Sequence, residues 1–265
     1  MNIIVCVKQI LDPDIPMDKF RIRDNQVIPP EGIPPVMNPY DAQAVEVALR
    51  LKEKDGGQIT AISMGTADAR DVVRYALAMG ADDGIILSDD AFTKSDSLTI
   101  AYILTQAIRK IGNFDLILCG REAVDWNMGI VGPFIAEGLK LPLITLAKNI
   151  ELLNDGVLRV EQVMSDGYQV FEVSPPAVVT VSNEVGSARL PSGMGIIKAI
   201  RRDIPVWTSQ DIEADSSLIG VEAERSKLLS LILPERERKC EFVNGESPAE
   251  IAANLAKKLK ETRAI

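Results

Sequence analysis

The sequence predicts an α/β fold: an open, mostly parallel sheet, extended by antiparallel hairpins and followed by a C-terminal arm. Three observations predict it. Short apolar runs of strand length alternate with longer segments of helical spacing through the first half of the chain. After Pro142 the pattern changes to consecutive strand-like runs, broken by Asn154-Asp155-Gly156, Ser165-Asp166-Gly167 and Pro175-Pro176, which are hairpin and turn signals. Finally, 46% hydrophobic and 25% charged residues in a chain of 265 are the composition and length of a globular protein with a full core.

Residues 2–9 read as a buried parallel strand, a continuous Ile/Val run closed by polar residues. A loop with Pro13, Pro16, Pro29, Pro30, Pro34 and Pro35 follows, and a loop this long inside a compact domain has functional or interface duty. Asn38 is a good N-cap and Pro39 suits the first helical position, so a helix is expected from there to about residue 53. Ala44, Val45, Ala48, Leu49 and Leu51 are its apolar positions, and Gly56-Gly57 ends it. Residues 59–63 form the next strand, Thr66 caps a helix through Met79, and residues 84–87 form a third strand. Ser95 caps a helix to about residue 111, and residues 116–119 are a fourth strand. The hairpin region offers strands at 143–153, 157–164, 169–173 and 177–181. From about Asp203 the chain is polar and weakly patterned until Ser247-Pro248 opens a helix with Ala252, Leu255, Ala256 and Leu259 on one face. We therefore expect an α/β domain over 1–202 and an extended arm over 203–265, whose helix has little core of its own and packs on another subunit.

Composition excludes several classes of function. With 29 basic and 38 acidic residues the net charge is −9, which argues against a nucleic-acid footprint or an anionic membrane surface. The chain has no histidine, which removes Ser/His and Cys/His nucleophile pairs, histidine bases and every His-containing metal site. Cys6, Cys119 and Cys240 are widely separated, so a dithiol, a zinc knuckle or an iron–sulfur cluster is not expected, and Cys6 and Cys119 read as small buried hydrophobes. Asp82-Asp83 and Asp89-Asp90 read as solvated loop charges, and no catalytic or metal-ligating residue is nominated. The N-terminus enters a strand directly and no apolar run reaches the ~18 residues that span a bilayer, so a cytoplasmic chain is expected.

The candidate site lies in residues 115–142, DLILCGREAVDWNMGIVGPFIAEGLKLP. An apolar run stops at Gly120, a polar loop follows, and a Gly129-x-x-Gly132-Pro133 step opens a helical segment. Small residues at a helix start let backbone N–H groups approach an anion that the helix dipole favours, here a nucleotide phosphate. The bland reading is a helix-capping turn. Neither G-x-G-x-x-G nor G-x-x-x-x-G-K-[ST] occurs, so the reading rests on geometry: residues 6–9, 64–65 and 120–132 all follow strands at their carboxyl ends.

The same loop, of the form G-[KR]-x-A-x-D-…-G-P-…-A-E-x-L-x-L-P, resembles those of electron transfer flavoprotein beta subunits. Val7-Lys8-Gln9, Asn38-Pro39-Tyr40-Asp41, Ala44-Val45-Glu46, Ala48 through Lys52, Ala76 through Asp82 and Pro176-Ala177-Val178-Val179-Thr180 are similar to that family in the same order, over about residues 1–202, with Gly245 through Pro248 as a shared tail. The resemblance implies an adenine-nucleotide-hydrolase-like sheet and one subunit of a heterodimeric carrier, which moves electrons between a flavin-dependent, acyl-CoA-type dehydrogenase and another redox partner. It implies an FAD held mainly by an alpha subunit and an AMP or second FAD held by this chain. By position it implicates Cys6 through its backbone, Asn38, Met64, Gly120, Asp125, Asn127, Met128, Gly129, Ile130, Val131 and Gly132 in nucleotide binding.

Departures from the family pattern are Trp126, Asn127 and Ile130, where many relatives carry an acidic residue or glycine, an aspartate and a glutamine. Trp126 reads as a loop anchor, with stacking on a base or flavin as the alternative. The segment 87–92 with Asp96 and Thr99 resembles electron-bifurcating members, whose beta subunit holds FAD, and this tips the expectation slightly towards a second FAD. Residues 189–202, RLPSGMGIIKAIRR, resemble a protruding loop whose leucine docks into dehydrogenases. Gly193 stands at the apparent leucine position, so Pro191, Met194, Ile196 and Lys198 are the docking candidates, against an exposed turn with a basic end. The alternative to the whole reading is a stand-alone ATP- or AMP-binding protein resembling universal stress domains.

Overall fold

The computed structural model describes residues 1–234 and 240–264, so residues 235–239 and 265 of the expected arm lie outside the described residues. The described residues form two compact units divided between residues 230 and 231. In chain order the first unit contains β1 (Asn2–Cys6), β2 (Gln9–Ile10), β3 (Arg21–Arg23), β4 (Gln26–Ile28), β5 (Val36–Met37), α1 (Pro39–Asp55), β6 (Gln58–Met64), α2 (Arg70–Met79) and β7 (Asp83–Leu87). There follow α3 (Ser97–Ile111), β8 (Leu116–Gly120), α4 (Val131–Leu139), β9 (Leu143–Leu152), β10 (Leu158–Met164), β11 (Gly167–Val173), β12 (Ala177–Val181), α5 (Gly193–Ile200) and β13 (Val206–Trp207). The second unit contains α6 (Pro248–Glu261).

Nine strands form one sheet in the order β11-β10-β9-β12-β8-β1-β6-β7-β13. All pairs from β9 to β13 are parallel, and the β9-β10-β11 meander adds the antiparallel extension. The central strands are buried on both faces, which is why they read as unbroken apolar runs. Their residues alternate between two cores. Ile3, Val5, Leu116 and Leu118 pack with α1 and α2 on one face, while Ile4, Cys6, Ile117 and Cys119 pack with α3 and α4 on the other. Each fully buried Ile or Leu contributes about 1.5–3 kcal/mol, so these few strands dominate the stability of the sheet.

Helix starts differ from the expectation in three places. Asn38 occupies the N-cap position of α1, but its side chain makes no cap hydrogen bond. Thr66 precedes a short 3-10 turn at Ala67–Ala69, and α2 begins only at Arg70. Asp96, not Ser95, caps α3 by accepting from the Thr99 N–H. The proline-rich loop carries two small sheets, β2 with β5 and β3 with β4.

The division at residue 230 lies beyond the expected boundary at 202. Between them Ile204, Ile212, Ile219 and Ala223 are buried, and β13 extends the parallel sheet beside β7. Carboxylates fasten this stretch, because Asp89 accepts from the Ser209 N–H and hydroxyl and Asp96 accepts from the N–H groups of Arg225 and Ser226. Burial would raise the Asp96 carboxyl, and the N–H donors outweigh it, bringing it down to about 2. Asp89 is therefore a tie and not a solvated charge, and Asp82 is another, since it accepts from the Ile59 N–H at 2.8 Å and from Lys52 at 2.6 Å.

Candidate functional site

β8, β1 and β6 are neighbours in the parallel sheet, so the chain leaves all three at the same edge. That edge brings together Cys6, Met64, Gly120 and the loop from Asp125 to Val131, the site expected of an open α/β sheet. Asn38 lies beneath the loop and is fully buried. Its amide Nδ2 donates to the Glu122 carbonyl at 2.9 Å, and its Oδ1 accepts from the Val124 N–H at 3.2 Å. Asn38 therefore positions the loop, and its side chain is spent on loop backbone.

Asp41, which the sequence reading did not nominate, holds the roots of the site. Its Oδ2 accepts from the Lys8 N–H at 2.8 Å and its Oδ1 from the Gly120 N–H at 3.2 Å. Burial pushes the carboxyl up to about 7 against the pull of these donors. A Cβ at Gly120 would stand 2.4 Å from Asp41 Oδ1 and 2.8 Å from Tyr40, so only glycine fits this junction. Lys8 closes the frame, its Nζ contacting both Asp125 oxygens at 2.8 and 2.7 Å. The pattern Asn38-x-x-Asp41 is the sequence signal for this frame, but as a helix start it also reads as simple capping.

Residues 125–128 form an exposed crown on the framed loop. Asn127 adopts a left-handed backbone with φ 50°. Trp126 is 56% exposed, so it does not anchor the loop, and its indole is free to stack. Ile130 stands before α4 and provides no side-chain cap, leaving the first N–H groups of that helix, at Val131 and Gly132, without intrahelical acceptors. Gly132 itself is buried, and a Cβ there would meet Thr180 Cγ2 at 2.8 Å. Its small size therefore serves the packing of α4 on the sheet.

Cys6 and Cys119 are free and buried. A hydrogen bond with Cys119, together with burial, raises the Cys6 thiol well above the ordinary range, as fits an unreactive core group. Among the described residues no group of ligating side chains is placed to hold a metal ion, and no helix is long and apolar enough to cross a membrane.

The docking candidates sit elsewhere on the first unit. The segment expected to protrude as a loop contains α5, capped by Ser192, whose Oγ accepts from the Gly195 N–H at 3.0 Å. A Cβ at Gly195 would lie 2.2 Å from the Ala78 carbonyl oxygen, so α5 packs directly on the end of α2, with Ala199 as its buried residue. The rest of the helix is apolar yet exposed: Met194, Ile196, Ile197 and Ile200. Leu190, beside Pro191, is 83% exposed, more than Met194 at 63% or Ile196 at 46%. Leu190 was not among the docking candidates, which were placed around Gly193, three residues later. Pro191 is half-buried, and Lys198 is exposed on the same helix.

Comparison with known proteins agrees with this geometry. Residues 27–211 match the Electron transfer flavoprotein domain family. The chain is 36% identical to the electron transfer flavoprotein subunit beta of Thermoanaerobacterium thermosaccharolyticum, with all of both chains covered. It is 40% identical to the Megasphaera elsdenii subunit beta over 88% of each chain. The caffeyl-CoA reductase-Etf complex subunit CarD of Acetobacterium woodii is 35% identical, again over the whole of both chains. The family match covers more than half of the chain and these relatives are at least 35% identical over 88% of it or more, so this chain belongs to the electron transfer flavoprotein beta-subunit family.

Proposed function

We propose that this chain pairs with an electron transfer flavoprotein alpha subunit and closes over an FAD held mainly by that partner. The pair carries electrons between a flavin-dependent, acyl-CoA-type dehydrogenase and another redox partner. The chain also holds an adenine nucleotide of its own, AMP or a second FAD, and we favour the second FAD. The observation that carries the nucleotide reading is the framed loop: Asn38, Asp41 and Lys8 fix residues 120–125 so that the open N-terminus of α4 faces the strand edge. This donor set fits a phosphate, since it offers backbone N–H groups, while the Lys8 ammonium is paired with Asp125 and so offsets the one carboxylate beside them.

Flavin, when bound, supplies the electron chemistry, which no side chain of the chain provides. The residues would do the holding: the N–H groups of Val131 and Gly132 would be donors to the phosphate, Asn127 and Met128 would border the nucleotide, and exposed Trp126 would be available to stack. Exposed Leu190, Met194 and Ile196 offer the dehydrogenase an apolar contact, with Lys198 beside it. Denaturing the assembled heterodimer and quantifying the released nucleotides tests the reading. Two FAD per dimer is the expected result, whereas one FAD with one AMP reverses the choice of nucleotide. One FAD alone means that the altered loop has lost its ligand. A well-behaved monomer that keeps a nucleotide and takes no flavin partner returns the stand-alone alternative.

A further inference from the structure

The segment that presents Leu190 has little regular structure of its own, yet it is tightly tethered. Residues 183–189 lie along α1, and four polar side chains of that helix reach them. Gln43 Nε2 donates to the Gly186 carbonyl at 3.0 Å, and Arg50 Nη1 donates to the Val185 carbonyl at 2.9 Å. Glu46 and Glu53 both grip Arg189. The Arg189 Nε meets Glu46 Oε2 at 2.7 Å, its main-chain N–H meets the same oxygen at 3.1 Å, and its Nη1 and Nη2 both contact Glu53. Positions 43, 46, 50 and 53 are spaced by three and four residues, so they form one face of the helix.

Glu46 is the centre of this face and only 5% exposed. Burial would raise its carboxyl, and the hydrogen bonds from Arg189 and Arg50 more than offset that, leaving it below the ordinary range and charged. On the far side of Leu190, Pro191 fixes its own backbone and restricts its predecessor, and Ser192 caps α5, which is locked on α2. Leu190 is thus an exposed apolar side chain on a backbone held at both ends. A preorganised contact avoids the ordering cost that a floppy loop meets on binding.

We propose that Glu46 and Arg189 are positioning residues for partner docking: the α1 face holds Leu190 in its docking conformation without touching the partner. This rests on the docking role given to Leu190 above. α1 then serves both functions of the chain, with Asn38 and Asp41 at its start framing the nucleotide loop and positions 43–53 framing the docking tip.

The test uses the assembled heterodimer with its flavin, an acyl-CoA dehydrogenase reduced by butyryl-CoA as electron donor, and an artificial dye as a partner-independent control. Leu190→Ala should raise the KM for the dehydrogenase about tenfold. Glu46→Gln should raise it about three- to tenfold, with kcat at saturating dehydrogenase, dye reduction and bound nucleotide unchanged. In a Leu190→Ala background, Glu46→Gln should add nothing, because its effect passes through Leu190. Arg189→Lys, which keeps charge but loses the two-carboxylate fork, should fall between wild type and Glu46→Gln. If Leu190→Ala leaves the KM unchanged, the docking reading itself fails. If Leu190→Ala acts but Glu46→Gln does not, or acts equally in both backgrounds, the positioning role is overturned. Glu53→Gln removes only the outer carboxylate and serves if Glu46→Gln fails to fold; it should raise the KM in the same sense, and an unchanged value counts against the proposal.

Discussion

Asp41 shows how one buried carboxylate can set both a geometry and a pH dependence. Its folded pKa of about 7 lies above the ordinary 3.8, so the folded state binds this proton more tightly than the unfolded chain does. The stability it contributes is therefore fully present below pH 3.8 and is lost as the pH rises towards 7. Urea unfolding of the wild type should show this loss, on the order of a few kcal/mol at most, and Asp41→Asn should flatten it. A variant that keeps the same pH slope would mean that other groups carry it. Gly132→Ala is the second expectation at this scale: the added Cβ meets Thr180 at 2.8 Å, and overpacking of that kind costs about 1–3 kcal/mol, read as a lowered Tm. Both residues lay in motifs that were legible in the sequence, but their tertiary contacts were not. Asn38 and Asp41 look like capping residues because a helix begins there, and nothing local to Gly132 shows that it also packs against Thr180. Which neighbour a residue touches depends on strands more than a hundred positions apart in some pairs, as between Lys8 and Asp125, and local pattern holds no trace of that.

Long apolar elements were legible because each is buried on two faces or along one stripe, which leaves a period in the chain. α5 was not, since Gly193 and Gly195 inside eight residues speak against a helix, and its packing on α2 and the Ser192 cap stabilise it. β13 has two residues, too few for any period. Two expectations belong to these elements. Substituting Met194 and Ile196 together with Glu adds charge to side chains already 63% and 46% exposed, so the Tm should move by less than about 2 °C. Electron transfer from the dehydrogenase should nevertheless fall about tenfold or more while dye reduction persists, and unchanged transfer would leave α5 a purely structural helix. At the other helix, Val131→Pro deletes one N–H from the proposed phosphate cradle, at some strain because Ile130 before it is in the αR region that a following proline disfavours. Nucleotide content of the site should drop by more than in Val131→Ala, which keeps the N–H; full retention in a folded Val131→Pro heterodimer would show that this N–H takes no part.

At the scale of the whole molecule, the chain combines a self-sufficient sheet with a segment that has no core. The first unit buries its central strands β1, β7, β8 and β12 almost throughout, whereas α6, in the second unit, has no buried residue at all. Ser247 caps α6 by accepting from the Glu250 N–H, Lys258 pairs with Glu241, and Asn254 donates to the Asn244 carbonyl at 3.0 Å. These contacts are local and exposed, and they leave Ile251 and Leu255 at 39% and 45% exposure on a helix of fourteen residues. An isolated helix of that length is marginal in water, and exposed pairs contribute about 1 kcal/mol or less, so its order needs a surface to pack on. In the proposed heterodimer that surface belongs to the alpha subunit. The chain expressed alone should accordingly be nearly colourless and prone to association, and limited proteolysis should cut first within residues 231–264 while leaving the sheet unit intact. Adding the alpha subunit with FAD should protect the arm and yield a yellow, stable heterodimer. If the isolated chain resists cleavage there as well as the complex does, or binds FAD stoichiometrically as a monomer, then α6 has another role and the heterodimer reading loses its structural support.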